Sequence, residues 1–355
     1  MGIVDIGKID KNMTASRTID KSGFDFFDAD GAPFKIYGVY RDGEKYRRIP
    51  EEVGKTVNNG VYLLSAYSAG GRIRFKTNSK KIAFLVWCDG GAPGENGTYL
   101  NNGSLDVYAD GRFMGITRGG NDFPLTYYES VVGEHEESRD RQITVYMPNY
   151  GEVYKVYIGI EKGATISEAP DYNYEKPVLF YGSSVTQGGC ASRPALSYES
   201  IIERELDTNY INFGFSGNAR GELTMAEYIA TLDISAFVMD YDYNAGNATK
   251  LKETHEPFFK AVRAARPDLP IIMISMPKYD LTDEDKKRFE VIKQTYGNAI
   301  AAGDKNVYLI FGRDLLCGIG NEGLCDGCHP NDLGFKYMAK GISPVLKKVL
   351  EGEQG

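Results

Sequence analysis

The chain has 355 residues, 42% hydrophobic and 25% charged, with a formal net charge of −8 and a pI near 5.2. This is an ordinary globular composition, and the length suggests two cores rather than one. The acidic balance excludes the broad basic field that would draw in nucleic acid or an anionic membrane, and no window approaches the ~20 apolar residues of a membrane helix.

The basic pairs Arg47-Arg48 and Lys80-Lys81 are isolated and read as solvated surface. The start, MGIVDIGKIDKNM, has no apolar core of the kind a signal peptide needs. Both a cytoplasmic protein and an exported one whose signal has been removed fit that reading. Five cysteines, Cys88, Cys190, Cys317, Cys325 and Cys328, are too few and odd in number for a disulfide framework. The last three are clustered, which permits a bridge from Cys317 to Cys325 or Cys328 in an exported protein and free thiols otherwise.

Residues 1–170 read as β. Val61–Tyr67, Arg72–Thr77, Ile82–Trp87, Ser104–Tyr108 and Gln142–Met147 are short, β-branched and aromatic, with Gly, Asn, Asp or Lys turns between them. In Arg72-Ile73-Arg74-Phe75-Lys76 the apolar and basic residues alternate, the period of a half-buried antiparallel strand. The run Tyr154–Ile160 places Tyr154, Val156, Ile158 and Ile160 on one face. Many short strands of this kind predict a sandwich, jelly-roll-like. The polar, aperiodic Glu168–Lys176 marks a domain boundary near residue 170.

From residue 177 strands alternate with helices. Strands are expected over Val178–Tyr181, Tyr210–Phe213, Ala236–Asp240, Leu269–Ser275 and Val307–Ile310. Helices are expected over Ser197–Leu206, Leu223–Ala230, Thr249–Ala265, Asp283–Ala302 and Asp332–Leu350, with Pro344 ending or kinking the last. This alternation means a parallel sheet covered on both faces, whose ligands gather at the carboxyl ends of the strands.

Those strand ends carry unusual polar chemistry: Gly182-Ser183-Ser184 in YGSSVTQGGC, Ser216-Gly217-Asn218, and Asp240-Tyr241-Asp242-Tyr243-Asn244. Asp326-Gly327-Cys328-His329-Pro330 precedes the final helix. A serine hydroxyl needs a base to become nucleophilic near neutral pH. Asp and His three apart in a turn can fold to one side, so that the carboxylate holds Nδ1–H and leaves Nε2 toward the serine. His135, in a charged loop, and His255, on a solvated-looking helix, read as surface residues.

Cys325-Asp326-Gly327-Cys328-His329 also matches the c-type haem pattern C-x-x-C-H, and Cys317, Cys325, Cys328 and His329 could in principle hold zinc. Either use would consume the only well-placed base, so no cofactor and no metal are expected.

These blocks, in this order, resemble the SGNH (GDSL-type) hydrolases over Val178 to about Val349. YGSSVTQGGCASRP, NFGFSGNARGE and the earlier SLDVYADG are similar to a bacterial subgroup with a β-sandwich ahead of the hydrolase domain. The resemblance implies a three-layer α/β/α, flavodoxin-like SGNH hydrolase domain over residues 171–355, preceded by an all-β sandwich (jelly-roll-like) over residues 1–170.

It further implies Ser184 as nucleophile, Asp326 and His329 as its partners, and Ser184 N–H, Gly217 N–H and the Asn244 side chain as an oxyanion hole. Ser183 stands where the family usually has aspartate, so Ser184 is chosen by motif phase. DYDYNA replaces the usual Gly-x-Asn-Asp block, and Asn244 could equally be a capping residue. Gly217 could simply permit a positive φ. Arg220 and Glu222 are candidates for substrate binding, or an ordinary helix-entry pair.

The implied activity is hydrolysis of a small acyl ester, acetyl foremost, on a carbohydrate. An acyltransferase with the same triad and a non-catalytic glycan-binding protein are the alternatives. Neither nucleic acid nor a membrane span is expected as part of the function, and oligomeric state is left open.

Overall fold

The computed structural model describes residues 18–91, 94, 97–119 and 125–352. The N-terminal part is built on two antiparallel sheets. One has the strand order Phe24–Asp28, Glu152–Glu161, Ile82–Gly90, Leu125–Val132. The other runs Ile166–Ser167, Arg72–Thr77, Arg141–Tyr146, Asp106–Ala109, Arg112–Ile116, with Lys35–Tyr37 also paired to Arg72–Thr77. Alternate residues of both sheets, among them Ile73, Phe75, Phe84, Val86, Val107, Val145, Val156 and Ile158, fill the space between them.

Three local expectations change here. Val61–Tyr67 is not a strand: Asn59–Leu64 is a helix, with the Asn58 side chain accepting from Val61 N–H at 2.9 Å. Together with Glu51–Val57 it lays Val53, Val57, Val61 and Leu64 against the core of the C-terminal part. That i, i+3/i+4 spacing is helical, and the β-rich composition of VYLLSAY concealed it.

The second change is a register shift between Val153 and Lys155, which turns Val153 into the core and leaves Tyr154 half-buried outside it. The third is that Arg72 and Arg74 are buried, because the face opposite Ile73 and Phe75 is covered by the C-terminal part instead of water.

The C-terminal part is a five-stranded parallel sheet: β1 (Tyr174–Gly182), β2 (Thr208–Gly214), β3 (Ala236–Asp240), β4 (Ile271–Ile274) and β5 (Val307–Ile310). The order 2-1-3-4-5 is that of a flavodoxin-like doubly wound sheet. Helices Tyr198–Leu206 and Asp332–Leu350 cover one face. Helices Leu223–Thr231, Ala248–Ala265 and Asp283–Ala301 cover the other. The last helix continues through Pro344 to Leu350 and does not end at the proline. Among the described residues, no helix is long and apolar enough to cross a membrane.

Buried arginines join the two parts. Arg48, read from sequence as solvated, sits between them with its guanidinium on the carbonyls of Leu64, Tyr67, Asn212 and Gly214. Arg72 reaches the Tyr210 carbonyl at 3.0 Å and Asn209 Oδ1 at 2.7 Å. Arg47 is buried as well, on Ser65 Oγ and the carboxylates of Asp42 and Glu51. Asp106, fully buried, binds Arg193 at 2.6 Å and Ala195 N–H at 3.0 Å. These bonds pair charges that would be costly to bury alone, with only Asp106 Oδ1 of that pair left without a partner, and they dock the sandwich on the C-terminal part.

Candidate active site

β1 ends at Gly182, in a position that tolerates no side chain. A Cβ there would stand 2.0 Å from Thr186 Oγ1 and 2.2 Å from the Asp240 carbonyl. The chain then turns into the short helix Ser184–Gln187. Ser183 caps it: its Oγ accepts from Val185 N–H at 3.2 Å, and the residue is wholly buried. Ser184 is next, half-exposed, with its backbone N–H in the first turn, where no intrahelical acceptor exists.

The final loop brings the other two groups. Ser184 Oγ lies 2.8 Å from His329 Nε2, and His329 Nδ1 lies 2.7 Å from Asp326 Oδ2. The other Asp326 oxygen accepts from the backbone N–H groups of His329 at 2.7 Å and Cys328 at 2.9 Å. Burial raises the Asp326 pKa, but these hydrogen bonds outweigh it and bring the carboxyl below its ordinary value. Its stabilising effect is therefore present above the ordinary carboxylate range and is lost as pH falls through the lowered value. The loop stays intact at neutral pH.

Gly217 adopts φ +70°, and its N–H donates to Asn244 Oδ1 at 3.1 Å. Asn244 Nδ2 donates to the Phe215 carbonyl at 3.1 Å, leaving its second N–H for another acceptor. Asn244 is held by the single turn Asp242–Asn244, where Asp242 Oδ2 accepts from Met276 N–H at 3.0 Å. Burial pushes the Asp242 carboxyl up to about 6.

Arg220 and Glu222 do not line the cleft. The Arg220 guanidinium donates to the Gly217 carbonyl at 3.0 and 2.9 Å, and Glu222 accepts from Asn58 at 2.7 Å and from Tyr181 at 3.2 Å. Both therefore brace the Gly217 loop.

The cleft over Ser184 holds about 240 Å³ and is lined in part by the sandwich: Gly94, Gly97, Asn101, Asn102 and Tyr150 face Gly189, Cys190, Ser216 and His329. Sequence reading missed these sandwich residues, because nothing local marks them. Tyr150 Oη donates to the Ser184 carbonyl at 3.4 Å, and Asn101 Nδ2 to the Gly188 carbonyl at 3.0 Å. Gln187 ties the arrangement together, accepting from Ser216 N–H at 2.9 Å and donating to the Asn149 carbonyl at 3.1 Å.

Of the other histidines, His255 is buried, against expectation. It lies 2.9 Å from Thr295 Oγ1 and stacks on Tyr241, and burial depresses its pKa to about 3. A larger groove of about 670 Å³ runs between the helices Ala248–Ala265 and Asp283–Ala301 and includes no serine or histidine.

A doubly wound sheet whose first strand delivers a serine to a histidine–aspartate pair is the architecture of an SGNH-type serine hydrolase. Residues 175–347 match the GDSL-like lipase/acylhydrolase family, and residues 11–166 match the N-terminus of SGNH-hydrolase-type esterases. The chain belongs to this GDSL-like, SGNH-type hydrolase family and is an enzyme of that class.

Among solved structures it is similar to one described as a GDSL-like lipase from Bacteroides ovatus, with 29% identity, TM-score 0.82, and 92% of this chain and 98% of that one covered. A salicylyl-acyltransferase from a tetracycline biosynthetic pathway shares the fold at 18% identity and TM-score 0.73, covering 93% and 98%. An acetyl xylan esterase from Butyrivibrio proteoclasticus shares it at 13% identity and TM-score 0.60, covering 93% and 99%. A search of curated proteins yields no match.

Proposed function

We propose that the protein is a serine esterase that removes small acyl groups, acetyl foremost, from a carbohydrate. The observation that carries this reading is the unbroken chain Ser184 Oγ–His329 Nε2 (2.8 Å) and His329 Nδ1–Asp326 (2.7 Å), opening into a small cleft.

In this mechanism Ser184 Oγ attacks the ester carbonyl while His329 Nε2 takes its proton. The oxyanion is met by Ser184 N–H, by the free N–H of Asn244, and by Gly217 N–H, which exchanges Asn244 Oδ1 for the substrate oxygen. His329 returns the proton to the leaving alcohol and then activates the water that frees the acyl group. The chemistry needs no metal or organic cofactor.

A cleft of about 240 Å³ falls below the ~300 Å³ at which drug-sized ligand pockets begin, which favours a short acyl group. The sandwich over residues 1–170 is the accessory part and residues 171–355 the catalytic part. Because Asn101, Asn102 and Tyr150 stand at the cleft, the sandwich would meet the alcohol side of the substrate, and the acetyl xylan esterase of like fold motivates a sugar there.

The test is release of acid from p-nitrophenyl acetate, from longer p-nitrophenyl esters and from acetylated oligosaccharides. Ser184→Ala should lose about 10⁴-fold or more in kcat. A folded Ser184→Ala protein with full activity sinks the mechanism. Preference for long acyl chains removes the deacetylase reading alone. Transfer to an added alcohol in preference to water would favour the acyltransferase reading, which the salicylyl-acyltransferase of like fold supports.

A further inference from the structure

Folding brings Cys190, at the end of the nucleophile turn, to the loop that carries Asp326 and His329. A thiol, a carboxylate oxygen and an imidazole nitrogen from these three residues lie within 4.8 Å of one another. The Cys325 thiol, one of the two that sequence spacing offered to Cys317, lies beside Cys190. All five cysteines are free thiols. The Cys328 carbonyl accepts from the Tyr243 hydroxyl at 2.9 Å, and neither Cys328 nor Cys317 belongs to the group of three.

We propose that Cys190, Asp326 and His329, with Cys325 as fourth ligand, form a binding site for a soft divalent ion such as zinc, and that the ion switches the enzyme off reversibly. The ligand types are those zinc prefers, and four of them complete a tetrahedral shell. Bond lengths of about 2.0–2.3 Å place ligand atoms roughly 3.5 Å apart in such a shell, so Cys190, Asp326 and His329 need close by little more than about 1 Å, and Cys325 turns in from beside Cys190 to complete it. Cys325 is exposed and Cys190 lines the cleft, so the ion enters from solvent. On binding, each thiol gives up its proton to the medium and ligates as thiolate.

Inhibition follows from the geometry. Coordination through His329 Nδ1 breaks its 2.7 Å contact with Asp326, and coordination through Nε2 breaks its 2.8 Å contact with Ser184. Either way the base is lost. The inhibitory consequence rests on the esterase reading, whereas the binding itself does not.

The experiment titrates EDTA-treated, dialysed protein with Co²⁺, followed by the thiolate-to-cobalt charge-transfer absorption, and with Zn²⁺ against a chromophoric chelator. p-Nitrophenyl acetate hydrolysis is read on the same samples. The expected result is a single ion per chain, a thiolate band, activity falling in step with occupancy, and recovery on adding EDTA. Cys190→Ala and Cys325→Ala should each weaken zinc binding by about tenfold or more, while Cys317→Ala binds as wild type; either of the first two suffices if the other fails to fold.

Absence of the thiolate band, or unchanged zinc affinity in both Cys190→Ala and Cys325→Ala, overturns the site. Full activity at full occupancy, or activity that requires the ion, overturns the inhibition. A Cys190-dependent band in a protein with no ester turnover keeps the site and removes the esterase reading instead.

Discussion

Replacing Asp326 by asparagine separates the electrostatic role of this residue from its role in holding the loop. The carboxylate accepts from the His329 ring at 2.7 Å and from the backbone N–H groups of His329 and Cys328 at 2.7 and 2.9 Å. The amide oxygen of Asp326→Asn can keep the two backbone bonds, so the turn should persist. Its NH₂ then faces His329 Nδ1 and can only donate. The ring must present a lone pair at Nδ1, which moves its proton to Nε2, 2.8 Å from Ser184 Oγ. A protonated Nε2 cannot accept the hydroxyl proton, and Ser184 is left unactivated. The equivalent tautomer change in a serine-protease triad lowers kcat by about 10⁴, equal to about 5.4 kcal/mol of transition-state stabilisation. The expected outcome is a loss of that order in kcat on p-nitrophenyl acetate, a KM within a few-fold of wild type, and a thermal midpoint close to wild type. A folded Asp326→Asn enzyme with kcat within about tenfold of wild type would refute the reasoning.

Ser183→Ala should leave kcat nearly unchanged and cost about 1 kcal/mol of stability, because the buried Ser183 hydroxyl caps the helix rather than facing the cleft; loss of activity in a folded Ser183→Ala protein would move the nucleophile by one residue. Asn244→Ala should lower kcat about 10²–10³-fold with little effect on KM, since the amide acts on charge that develops only in the transition state; equal loss in KM alone would make Asn244 a ground-state contact. His255 is neutral when folded, with its pKa depressed to about 3 by burial, whereas the unfolded chain takes up a proton below about 6.5. Stability should therefore fall by about 1.4 kcal/mol per pH unit from 6.5 down toward 3 on this account. In urea titrations at pH 7.5 and 5, His255→Gln should lack about 2 kcal/mol of the wild-type loss; identical losses in both proteins would show that His255 is not the source.

The candidate site was legible in the sequence because its parts are local. A Gly-Ser-Ser turn after an apolar strand, an Asp three residues before a His, and polar tips after successive parallel strands each need only a few neighbours to be read, and the βα alternation places them at one sheet edge. Which of two adjacent serines faces the histidine follows from the turn: Ser183 is consumed as a cap and Ser184 projects.

Tertiary structure alone decided the rest, for one recurrent reason. A charged or polar residue is buried when distant backbone groups satisfy it, and sequence period does not report those groups. Arg48 and Arg72 look like surface residues until the carbonyls of Asn212, Gly214 and Tyr210 are brought to them across more than a hundred residues. His255 looks solvated until Thr295 and Tyr241 close over it. The same closure sets the sandwich residues Asn101 and Tyr150 at the cleft and lays Cys190 beside Cys325. The sequence by itself specified a serine turn, an Asp–His pair and a sheet to carry them; the docking of two folded parts determined the walls of the cleft and the company its cysteines keep.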